Sequence, residues 1–421
     1  MILTVSFLLL IILAFSLYFE LVSENSGQYF PFFSLASSYY LIFYGIFPYY
    51  AASNVPHLPY DGNVGIKAAL FTVVFVGFQF AGYFLAARSC KFEAGPAVSI
   101  ATAALKLLSW SLMGTYFIIH FALQKYQIPS LPQLEKPFWY FAFSTLVYLL
   151  LQRQLTLLPV VVLAVAMISK LSINLVDGLL TPIIFDLLIV LSAALYLKSY
   201  RSVLVLVLVL VCLSLFGSYG YLKHFSRVVI KGELSNLYDF QPDLSLRSFK
   251  ASVDSMARRS SHLLLIDHVI ERTPSMVPFD QRNPLIDAMI NHVPRVIWPS
   301  KPRETLGNSF GKRYGILNAK DMTTSWNLPW TVDFYITFGP ALSVITIFII
   351  GGVFGLGVRW LATRKDQPFW FGIYSAIVLP LFYQESNFSV MTGSVFSVLI
   401  LLLVAYRVAK LIVPASRPVR V

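Results

Sequence analysis

The sequence predicts an all-α polytopic membrane protein of about 11 transmembrane helices, with one large, mainly helical extracytoplasmic loop subdomain between the eighth and ninth spans. Three observations predict it. Hydrophobic residues make up 57% of the 421-residue chain and charged residues only 12%, with a mean hydropathy of +0.70, whereas a soluble chain carries about 25% charged residues. Apolar runs long enough to cross a bilayer recur along the chain. Between them, residues 221–330 form one polar stretch that holds fifteen of the 32 Lys/Arg. The expected organisation is an N-terminal bundle at 1–220, the loop subdomain at 221–330, and C-terminal spans with a basic tail at 331–421.

In chain order the apolar windows fall at 1–19, 30–50, 66–87, 95–123, 138–152, 155–173, 175–197, 202–220, 331–358, 368–387 and 389–407. The first lacks a basic leader and a small-x-small cleavage site, so it is expected to be a retained span. Arg88, Lys91, Arg153, Lys198, Arg201, Arg359, Arg364, Lys365 and the tail cations Arg407, Lys410, Arg417 and Arg420 fall on alternate turns. Only Lys67, Lys125, Lys136 and Lys170 fall on the short turns opposite. The positive-inside rule makes the first set and the C-terminus cytoplasmic, and puts the large loop on the far side, in the periplasm or at the cell exterior. Cys90 and Cys212 lie in or beside spans and suggest neither a disulfide framework nor a metal site.

Within the loop, Ser255 to Arg272 is predicted as one amphipathic helix, with Met256, Leu263, Leu264 and Ile266 on its apolar side. Asn283-Pro284 supplies a cap and first position for a second helix running to about Val293, which Pro294 ends. Trp298-Pro299, Lys301-Pro302, Gly307, Gly311 and Gly315 imply ordered turns after it. The Gly307 to Lys312 run is one residue short of a phosphate loop and has no strand before it, so an ordinary glycine-rich turn is expected.

There is no His-Glu-x-x-His, Cys-x-x-Cys or Asp-x-Asp, and so no signature of a metal-dependent enzyme using nucleotide sugars. No cofactor, metal or nucleic-acid partner is expected. The loop instead carries Arg258, Arg259, Arg272, Arg282, Arg295, Arg303 and Arg313 with His262, His268 and His292. Guanidinium forks bind phosphate and stay charged, and a histidine among them could take a hydroxyl proton. The competing structural reading pairs these cations with the loop's own carboxylates and with lipid headgroups.

The run from Val293 to Pro302, Val-Pro-Arg-Val-Ile-Trp-Pro-Ser-Lys-Pro, resembles a segment of bacterial Wzy-type O-antigen and exopolysaccharide polymerases. Asp333 to Gly339, Asp-Phe-Tyr-Ile-Thr-Phe-Gly, is similar to the stretch that follows that family's periplasmic loop, and Arg258/Arg259 occupy the place of an arginine opening it. The resemblance, detailed over 255–352, implies a metal-independent glycosyltransferase. Its donor and acceptor would be undecaprenyl-diphosphate-linked oligosaccharides, with a chain-length regulator as a further partner. On this reading Arg295, Arg303 and Arg313 hold the diphosphate, with Arg258, Arg259 and Arg282 second. His292 is the leading base and Asp333 the alternative.

Inside the spans, where unpaired charges are costly, Lys106 and Asp186 are expected to form a structural ion pair, the alternative being that they line a cavity for sugar or diphosphate. Asp177, His120 and Glu385 fall near the outer face, and Glu385 with Tyr383, Gln384 and Asn387 makes a polar-aromatic grouping suited to a carbohydrate. Gly351-Gly352 and Gly355 predict close helix contact. A ligase of the same superfamily, or a flippase for lipid-linked sugars, are the alternative functions. A flippase would more naturally show two similar halves, which this chain lacks.

Overall fold

The computed structural model describes residues 1–22, 30–55, 58–59, 62–89, 102–126, 131–176, 181–197, 246–293, 295, 297–301, 306–322, 324–364 and 368–412. Among the described residues all regular structure is helical. The helices are α1 (Ile2–Val22), α2 (32–54), α3 (Ile66–Ser89), α4 (Thr102–Lys125), α5 (Pro132–Leu151), α6 (Leu157–Val176) and α7 (Thr181–Tyr196). After the loop begins come α8 (Leu246–Ser260), α9 (His262–Arg272), α10 (Pro284–Asn291) and α11 (Leu306–Arg313). The chain closes with α12 (Trp330–Ala362), α13 (Pro368–Phe382) and α14 (Phe388–Ile412).

Six of these, α1, α3, α4, α6, α12 and α14, are long and apolar enough to cross a membrane, while α7 and α13 are shorter apolar helices. Their outward faces are greasy: Leu3, Phe7 and Phe15 on α1, Leu157, Leu158 and Ile168 on α6, and Ile400 and Val404 on α14 are all exposed. Such surface is stable only against lipid. The expected span at 202–220 lies outside the described residues.

α3 and α12 make the closest seam. A Cβ on Gly82 would overlap the Phe348 carbonyl, and one on Gly351 or Gly355 would overlap the carbonyls of Gln79 and Tyr83. Lipid gives no hydrophobic drive to helix pairing, so backbone-to-backbone approach through small residues supplies it. Polar groups inside the bundle are satisfied locally. Glu20 at the end of α1 is buried and accepts from Phe33 N (2.8 Å), Ser34 N (2.8 Å), Ser34 Oγ (2.7 Å) and Tyr83 OH (2.6 Å). It thereby meets the unpaired amides that open α2.

The expected Lys106–Asp186 pair is not formed. Lys106 sits in the first turns of α4 and donates to Gln154 O (2.6 Å), at the end of the bundle where α5 finishes. Asp186 sits in the first turns of α7, at the opposite end, and pairs with Lys170 of α6 at 2.6 Å while Trp139 Nε1 donates to it at 2.8 Å. Up-and-down connectivity puts the two residues first considered at opposite ends.

Two loop expectations also change. The helix over 255–272 is two helices, broken at Ser261 (ψ 71°), whose hydroxyl turns back to the Ala257 carbonyl. The Gly307 to Lys312 run is helical rather than a turn, because Gly307 and Gly311 let α11 press against Trp326 and Leu317. Gly315, at φ +71°, follows its end. α10 starts as expected, with Asn283 Oδ1 accepting from Leu285 N at 3.0 Å and Pro284 in its first turn.

Gly355→Val is expected to lower the thermal midpoint in detergent by the equivalent of about 1–3 kcal/mol of overpacking. Gly357→Ala, on the same helix with open space around it, should leave the midpoint unchanged or raise it by about 0.5–1 kcal/mol.

Candidate functional site

The four loop helices gather at the end of the bundle where α2 finishes and α3 and α12 begin. Gly65 N donates to Asp267 Oδ1 (2.9 Å), Tyr50 OH to Asp254 Oδ1 (2.7 Å) and Asp280 N to Ile336 O (2.7 Å). α9 is buried on every side from His262 to Val269, so it is a plug in the bundle end rather than a surface helix.

Asp333 fastens this cap. It is fully buried in the first turn of α12. Its Oδ1 accepts from Arg282 Nη2 of the loop, and its Oδ2 accepts from Phe388 N (2.9 Å), the first residue of α14. Arg282 also lies 3.3 Å from Asp280 and 3.5 Å from Asp287. Opposite, Trp330 N donates to Gln384 O (3.2 Å), and the Tyr40 hydroxyl donates to the buried Gln384 side chain. The non-helical break Tyr383 to Asn387 is thereby fixed against the start of α12.

That break forms the polar end of a cavity of about 370 Å³. Leu35, Ile42 and Phe43 of α2, Phe185 and Leu188 of α7, and Phe382 make apolar walls; Ser38, Tyr39, Arg259, Asn327, Tyr383 and Glu385 make the polar part. Asn327 Nδ2 donates to Glu385 Oε1, and the Tyr383 hydroxyl donates to the same carboxyl. Burial raises the Glu385 pKa above its ordinary value, and these two hydrogen bonds and the Arg259 charge pull it partly back. Tyr39 is held from behind by His262, whose Nδ1 lies 3.0 Å from the hydroxyl. Burial pushes that imidazole down to about 3, so it stays neutral. A second cavity of about 350 Å³ lies beside the first and shares Thr181, Phe185 and Tyr383 with it.

Of the sequence-nominated residues, Arg259 and Glu385 meet in the first cavity. Arg272, Arg282, His292, Arg295 and Arg313 serve contacts elsewhere in the cap. Arg313 donates to the Pro278 carbonyl and lies 3.6 Å from Asp280. Arg295 donates to the Lys301 carbonyl, and buried Lys301 donates to Asn291 O (3.3 Å) and Val293 O (2.9 Å), where a cation suits the end of α10. Arg258 lies on α8 one residue from Arg259, outside the cavity lining. Arg272 donates to His268 Nδ1 (2.9 Å), whose Nε2 donates to Tyr314 O (2.9 Å).

His292 donates from Nδ1 to Gly393 O (2.8 Å) and meets the Phe396 ring edge-on. Burial lowers its pKa, as does the charge of Lys301, while the Gly393 bond opposes them. His120 pairs with Glu135 (2.9 Å), at a smaller cavity that Lys170 also lines. Arg303 and Asp177 lie outside the described residues. Asn327, Tyr39 and Ser260 were not found from sequence, because uncharged residues in separate segments carry no local signal. Among the described residues no group of three or more His, Cys, Asp or Glu is placed to hold a metal ion.

These features define a helical membrane protein whose loop subdomain closes an amphipathic cavity at one end of its bundle. The profile of the family described as Domain of unknown function (DUF8712) matches residues 91–413, and the chain belongs to that family. No curated protein matches the chain, and no solved structure does.

Asp333→Asn should keep an acceptor for Phe388 N but leave Arg282 only its more exposed partners Asp280 and Asp287. The expected loss is about 1–3 kcal/mol of stability, read as a lower midpoint in detergent. An unchanged midpoint would show that Asp333 does not hold the cap.

Proposed function

We propose that the protein is a membrane glycosyltransferase that polymerises undecaprenyl-diphosphate-linked oligosaccharide repeats into a bacterial surface polysaccharide such as O-antigen or exopolysaccharide. One observation carries this reading: a cavity with hydrocarbon walls ends in an arginine, a carboxylate of raised pKa and several hydroxyl and amide groups. Its gradient from apolar to polar suits a lipid bearing a phosphorylated sugar. The adjacent cavity, across Phe185 and Tyr383, gives room for a second chain. The resemblance of 293–302 and 333–339 to Wzy-type polymerases agrees with the reading. In this proposal about eleven spans cross the inner membrane, the cap faces the periplasm and the C-terminus is cytoplasmic.

In the proposed reaction an acceptor sugar hydroxyl attacks the anomeric carbon of the donor. The new glycosidic bond forms as the bond from that carbon to the phosphate oxygen breaks. Glu385 takes the hydroxyl proton, and its raised pKa makes it a better base than an exposed carboxylate. Arg259 offsets the charge on the departing undecaprenyl diphosphate. Asn327 and Tyr383 keep the Glu385 carboxylate aimed. Glu385 replaces His292 as the leading base here because it lines the cavity and His292 does not.

Glu385→Gln should reduce chain elongation by about 10²–10⁴-fold, seen as single repeats in the surface glycan ladder, whereas His292→Gln should leave the ladder long. The acid limb of activity should follow the Glu385 carboxyl. Removing the neighbouring cation in Arg259→Gln favours the protonated acid, so that limb should move to higher pH. A parent-like ladder from Glu385→Gln, in protein present at normal levels, removes the carboxylate from the chemistry.

A further inference from the structure

The proline- and tryptophan-containing run after α10 does not reach the cavity, yet together with α10 it displays an unusual surface. Pro284 and Ala288 of α10 are buried, while Leu285 (37%), Ile286 (54%) and Met289 (72%) are exposed on the other side. Beyond the helix, Ile297 (75%) and Trp298 (38%) are exposed as well. Five large apolar side chains over so short a segment are costly against water. An eight-residue helix extends only about 12 Å, far short of a bilayer crossing.

The covering phase is indicated by what this segment is attached to. Asn291 Nδ2 donates to Ser389 O (3.3 Å), His292 Nδ1 to Gly393 O (2.8 Å) and Ser397 Oγ to His292 O (2.9 Å). The His292 ring stands 4.8 Å from that of Phe396. All four contacts are with the first turns of α14, one of the helices able to cross a membrane. Phe396 is itself exposed, and Ile400 and Val404 continue the apolar face down that helix.

We propose that α10 and the Ile297-Trp298 hook form an interfacial anchor, lying in the headgroup region of the bilayer that surrounds α14 with Leu285, Ile286, Met289 and Trp298 in the acyl boundary. An amphipathic helix and a tryptophan are the residue types that partition there. The anchor also has a mechanical link to the cap. Asp287 on the same helix faces Arg282, which holds Asp333. Seating α10 in lipid therefore sets the depth at which the cap closes the bundle. The inference rests on the membrane-spanning helices and stands apart from the proposed reaction.

The test uses the full chain with Cys90→Ser and Cys212→Ser, reconstituted in phosphatidylglycerol–phosphatidylethanolamine vesicles. Met289→Cys and, separately, Ile286→Cys carry an environment-sensitive nitrobenzoxadiazole label, with Lys320→Cys in the polar loop as the aqueous reference. Both helix sites should emit at shorter wavelength than the reference and lose intensity to lipids carrying a nitroxide near the headgroup, while the reference does neither. Reference-like emission without quenching at both sites overturns the anchor. Short-wavelength emission that lipid nitroxide leaves intact, with energy transfer between separately labelled molecules, would mean a second copy covers the face and also overturns it.

Discussion

A single buried carboxylate decides how the loop meets the bundle. Asp333 opens α12, where a negative charge suits the helix terminus. Its two oxygens are divided between Arg282 of the cap and the backbone amide that starts α14. Three segments distant in sequence are thus held at one point from which water is excluded. With its oxygens so engaged, Asp333 is a joint rather than a free base. The polar end of the main cavity lies in the break just before Phe388, so its shape depends on this joint.

The bundle beneath follows a different rule. Apolar side chains cannot distinguish a helix neighbour from lipid, so specificity comes from backbone contact and from a few satisfied polar groups. Gly82, Gly351 and Gly355 bring α3 and α12 together. Glu20 ties α1, α2 and α3 through four donors, and Lys170 with Asp186 ties α6 to α7. The joint at Asp333 sits at the head of α12, on the same helix as the seam, so the cap inherits its position from the most closely packed pair.

Sequence reading works here where the signal is local. Apolar length marks the helices, Asn283-Pro284 marks the start of α10, and the glycines of α12 mark close packing. It fails where topology decides. Lys106 and Asp186 look like partners on charge and depth, but alternating helix direction puts them at opposite ends. The arginines of the loop form one class by composition, yet Arg295 and Arg313 are engaged by backbone carbonyls and Arg282 by carboxylates, and only the folded arrangement reveals that. Glu20 is hidden by the apolar run before it. Asn327 and Tyr39 reach the cavity through the fold alone.

The proposed chemistry requires the cavity to distinguish a diphosphate-bearing polyprenol from the bare alcohol, with Arg259 supplying the difference. Native mass spectrometry of the detergent-purified protein, titrated with undecaprenyl diphosphate and with undecaprenol, measures this directly. The account predicts that the parent protein retains the diphosphate in preference to the alcohol and that Arg259→Gln loses this preference while still taking up the alcohol. Equal retention of both lipids by the parent protein, or an undiminished preference in Arg259→Gln, would contradict it.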